Sequence, residues 1–101
     1  MSVAVIGGLD RLARIYQLTG KSMGWQVRHF PRKTPSLAKR LASVDAVVLF
    51  TGVVSHHLLR EVNQTVRQLN IPIAYCSSAS ATGLKNSLAK LNEVVASRQV
   101  V

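Results

Sequence analysis

Two adjacent histidines follow a serine in TGVVSHHLLR (51–60), and the only other histidine in the chain is His29. A single cysteine, Cys76, precedes Ser77-Ser78-Ala79-Ser80. Imidazole and thiolate are metal ligands, and a His and a Cys from neighbouring loops suit axial ligation of a haem or part of an iron site. Such a set would use His56 with Cys76 or His29. The sequence has no C-x-x-C, no H-x-x-x-H and no second cysteine, which argues against a structural zinc site.

Other residues suit an anion. Glycines and serines let backbone N–H groups approach a ligand, and a helix entrance adds a positive field. Gly7-Gly8, Gly52, Ser55, Ser77 and Ser78 are candidates of this kind, with Arg28 and Arg32 as charged contacts and His56 beside them. GGLDRL (7–12) is not the G-x-G-x-x-G of a dinucleotide fold, and no G-x-x-x-x-G-K-[ST] occurs. An arginine pair near the end of a second strand is where an NADP 2′-phosphate would be met. Without the glycine fingerprint, that role is not expected. Only Asp10, Asp45, Glu61 and Glu93 are acidic, too few for hydrolysis by paired carboxylates. No nucleophile, base and orienter can be assembled from the sequence.

The elements that must carry these residues alternate strictly. VAVIG (3–7) reads as a buried parallel strand, and Leu12, Ile15, Tyr16, Thr19 and Met23 as the apolar stripe of a helix. WQVRHF (25–30) alternates as a strand, with Trp25, Val27 and His29 on one face. Thr34-Pro35 suits a helix opening, followed by Leu37, Ala38, Leu41 and Ala42. DAVVLFTG (45–52) is the most apolar strand and the expected centre. Ser55 caps a third helix with the stripe Leu58, Leu59, Val62, Val66 and Leu69. IPIAYC (71–76) is placed at a sheet edge because Pro72 cannot donate to a ladder. Ala81, Leu84, Leu88, Leu91 and Val95 line a final helix.

The pattern predicts one α/β domain over 1–101, an open (βα)4 parallel sheet of flavodoxin-like or Rossmann-like type with strand order 2-1-3-4. In such sheets ligands bind beyond the carboxyl ends of the strands, so the candidate residues are expected on one rim. On the third helix His56 and His57 point about 100° apart, too divergent to share one ion. Arg60 and Glu61 follow them at four-residue spacing, at which each histidine would pair along its own helix. His57 is expected at the surface, and His56 is the histidine expected to carry function.

The net charge of +9, from 13 Lys and Arg against 4 acids, favours polyanions. An anionic small molecule is the first expectation, iron or haem binding the second, and non-specific nucleic-acid binding through the basic surface the third. The densest stretch, RHFPRKTPSLAKR (28–40), resembles a phosphate-contacting strip more than a base-reading one. No apolar run approaches the length needed to cross a bilayer, and SVAVIGG lacks the basic flank of a signal peptide, so no membrane partner is expected. The lone cysteine fits a reducing cytoplasm. Exposed sheet edges favour a homo-oligomer.

GGLDRL (7–12), GWQVRH (24–29), VVLFTGVVSH (47–56) and YCSSAS (75–80) together resemble a small bacterial family, domain of unknown function 2325. The resemblance covers essentially the whole chain, and Ser55-His56 is its most specific element. It implies a cytoplasmic doubly wound domain, carries no assigned activity, and singles out His56 over His57.

Overall fold

A computed structural model of the chain describes residues 1–99. Four strands alternate with four helices: β1 (Ser2–Ile6), α1 (Ala13–Ser22), β2 (Gln26–Phe30), α2 (Leu37–Leu41), β3 (Ala46–Phe50), α3 (His56–Leu69), β4 (Ile73–Cys76) and α4 (Ala81–Gln99). Short 3-10 turns at Asp10–Leu12 and Thr51–Val53 lead into α1 and towards α3. The sheet is wholly parallel in the order β2-β1-β3-β4, as the alternation of elements predicts. All five residues of β3 are buried, and β4 begins just after Pro72 at the sheet edge.

Alternate residues of each strand serve opposite layers. Val3, Val5, Ala46, Val48 and Phe50 pack with Tyr16 of α1 and Leu84, Leu88 and Leu91 of α4. Ala4, Ile6, Val47 and Leu49 pack with Leu37 and Leu41 of α2 and Leu58, Val62 and Val66 of α3. Each helix therefore has a strand face to cover, and the four connecting loops meet at the carboxyl edge.

Three helical details depart from the periodic reading. Ile15 is 43% exposed, and α1 instead approaches the sheet at Gly20, where a Cβ would collide with Val27 Cγ2. Leu69, the last residue of α3, is 41% exposed, while Thr65 is buried. Thr34 does not cap α2. Its hydroxyl donates to the Arg32 carbonyl at 3.1 Å, and the helix starts after Ser36, whose φ of 57° is left-handed. Among the described residues no helix is long and apolar enough to cross a membrane.

Candidate functional site

The first loop at the carboxyl edge is occupied by the protein itself. Gly7 and Gly8 hold φ of 84° and 83°, and Gly7 donates its N–H to the Phe30 carbonyl at 2.9 Å. Tyr16, fully buried, rises from α1 against Gly8, where a Cβ would lie 2.9 Å from its hydroxyl. That hydroxyl accepts from the Leu9 N–H at 3.2 Å and donates to the Ala79 carbonyl at 2.5 Å. His29 stands edge-on to the Tyr16 ring, 5.0 Å between centroids, and its Nε2–H donates to the Gly7 carbonyl at 2.7 Å. In place of the open cradle expected of them, Gly7 and Gly8 are buried and receive a tyrosine.

The entrance of α3 is open. Ser55 adopts extended backbone angles, its Oγ accepts from the Leu58 N–H at 3.2 Å, and its carbonyl accepts from Leu59 at 3.0 Å. The N–H groups of His56 and His57 sit in the first turn, where helices supply no acceptor. Facing this entrance, the loop after β2 contributes Pro31, Arg32 and Lys33, and with Val54, Ser55 and Leu58 they line a cavity of about 330 Å³. Arg32 Nη1 meets Asp10 Oδ2 at 2.6 Å, the one ion pair among the described residues, and both side chains are exposed. Lys33 makes no side-chain hydrogen bond or ion pair there. Of the four lining residues outside the candidate set, Lys33 is the charged one, and its signal in the sequence is the basic loop PRKTP (31–35).

A family described as an uncharacterized protein conserved in bacteria, DUF2325, matches residues 2–91 of the chain. The chain belongs to DUF2325. The match takes in all four strands and most of α4, so the whole carboxyl rim lies within the DUF2325 region. No curated protein matches the chain.

The remaining DUF2325 rim joins the loops after β3 and β4. Gly52 abuts Ser77, where a Cβ would fall 2.9 Å from the Ser77 carbonyl oxygen. The Cys76 thiol donates to the Ser78 carbonyl at 3.0 Å and lies against Gly83 of α4. Ser80 caps that helix, its Oγ accepting from the Gly83 N–H at 3.0 Å and from the Ser78 hydroxyl at 3.1 Å. The side chains of Ser77 and Ser78 remain exposed.

The rest of the candidate set disperses. Arg28 does not reach the rim: it pairs with Ala4 in mid-sheet register, and its Nη1 donates to Ser43 Oγ at 3.2 Å, in the turn at the amino edge. His56 and His57 are both exposed, and neither side chain bonds to Arg60 or Glu61. His29 and Cys76 pack in the α1/α4 layer, whereas His56 opens α3 in the other layer, so the ligands weighed for iron or haem serve two faces of the sheet. Among the described residues no group of three His, Cys, Asp or Glu is gathered for a metal. A larger hollow of about 560 Å³ lies at the amino edge beside Gln17, Lys21 and Trp25. It offers one cation and no helix entrance, which leaves the smaller cavity as the better anion site.

Proposed function

We propose that this DUF2325 protein binds a phosphate-bearing, nucleotide-like small anion in the cavity between Lys33 and Ser55. One observation carries the reading: the fold brings Arg32 and Lys33 to the entrance of α3, where two first-turn N–H groups lack helical acceptors. The volume of about 330 Å³ suits a small ligand. A larger ligand would extend along the rim towards His56, Gly52, Ser77 and Ser78. The reading is one of binding alone, and it takes the protein as cytoplasmic on the strength of its lone cysteine.

Calorimetric titration with inorganic phosphate and with ADP tests it. Lys33→Gln removes a charged donor from an exposed position, so affinity should fall about tenfold with an unchanged melting temperature. Asp10→Asn should act in the opposite direction and tighten binding several-fold, because the carboxylate 2.6 Å from Arg32 competes with the ligand for that guanidinium. Absence of binding by both ligands, or equal affinity in wild type and both variants, would overturn the proposal.

A further inference from the structure

We infer that the exposed surface of β2 and α2 is a contact surface for the backbone of a nucleic-acid duplex, bordering the cavity at Arg32 and Lys33 and extending away from it along Arg28, Lys39 and Arg40. Residues 28–40 carry Arg28, Arg32, Lys33, Lys39 and Arg40, and no Asp or Glu occurs anywhere from 11 to 44. All five cations are exposed. Arg32 is paired with Asp10, while Arg28 and Arg40 are braced by neutral partners. Arg28 Nη1 donates to Ser43 Oγ at 3.2 Å, Ser43 donates to the Arg40 carbonyl at 2.9 Å, and Arg40 Nε donates to the Pro35 carbonyl at 3.4 Å. Each of these two guanidiniums uses one of its five N–H groups and keeps the others for a partner.

The neighbours of these cations select the partner. The exposed residues beside them in the chain are Pro35, Ser36, Ala38, Ala42 and Ser43, while His29 and Phe30, the aromatic rings of the segment, are half-buried. A protein partner would be met by aromatic or methionine anchors with few lysines. A single strand would need exposed rings on which to stack its bases. Neither condition is satisfied, whereas phosphate contacts need only placed cations and hydrogen-bond donors. With five residues, α2 is too short to read a groove, so the binding is indifferent to sequence.

Fluorescence anisotropy with a labelled DNA duplex of about 20 base pairs, and with the RNA duplex of the same sequence, tests the inference. Lys39→Gln with Arg40→Gln should weaken binding about tenfold near 0.1 M salt and flatten the log–log salt slope by about 1.8. Lys85→Gln with Lys90→Gln removes the same charge from α4, in the opposite layer, and should change affinity by less than about twofold. The α2 double variant should keep the phosphate affinity of the cavity, so the two readings fail separately. Binding of either duplex in this pattern supports the surface, and the tighter one identifies its source. Equal loss in the two double variants, a flat salt response, or tighter binding of polyglutamate than of both duplexes would overturn it.

Discussion

Gly8→Ala should lower the stability of the domain by about 3 kcal/mol, read as a fall in the urea midpoint at unchanged slope. Two costs combine. The backbone at Gly8 has φ of 83°, a left-handed conformation that costs an L-residue about 1–2 kcal/mol. The new methyl would also sit 2.9 Å from the Tyr16 hydroxyl and 3.0 Å from Phe50 Cδ2. Both rings are fully buried in the layer beneath α1 and α4, so neither can retreat into solvent. Overpacking of this kind costs about 1–3 kcal/mol. Gly24→Ala separates the two costs, because Gly24 has φ of 85° and a methyl there would meet nothing within 4 Å. That variant should lose only the backbone part, about 1 kcal/mol. Equal losses in the two variants would mean that Tyr16 does not crowd the turn.

What separates the two glycines was invisible in the sequence. Both follow or precede regular elements and both read as turn residues, yet only Gly8 has a side chain pressed on it. Local pattern did reveal the frame. Short apolar or alternating runs marked every strand and period-3.6 stripes the helices, the most apolar run at 45–52 marked the centre, and Pro72 marked the edge. Ser55 was legible as a cap because capping is decided within three residues, and its Oγ accepts from Leu58. Features set by distant contacts were not legible. The hydroxyl of Tyr16 finds Ala79 across 63 residues, and the apolar period of α1 gave no sign that Gly20 would make its closest approach. The candidate rim divides in the same way. Topology placed four loops on one edge, but the reach of single side chains decided the rest. Arg28 extends to Ser43 at the amino edge, while Lys33, its neighbour in the basic stretch, comes to Ser55.

Tyr16 is the residue through which the first and last loops of the rim depend on each other, and two substitutions separate its functions. Tyr16→Phe keeps the ring and deletes the hydroxyl, leaving the Leu9 N–H and the Ala79 carbonyl without their partner in a half-buried setting. The cost should be about 1–3 kcal/mol, with faster hydrogen exchange at the Leu9 amide. Tyr16→Ala also removes a ring packed 5.0 Å from His29 and 5.3 Å from Phe50, and opens a cavity below Gly8. Deleting a buried aromatic ring costs about 3–5 kcal/mol, so this loss should exceed that of Tyr16→Phe. The cavity at Lys33 and Ser55 contains neither Tyr16 nor its partners, so the folded Tyr16→Phe protein should bind phosphate with wild-type affinity. If Tyr16→Phe were as stable as wild type, the hydroxyl would not be holding the two loops together. If it abolished phosphate binding while remaining folded, the ligand would reach the Gly7-Gly8 turn and the cavity at α3 would not be a separate site.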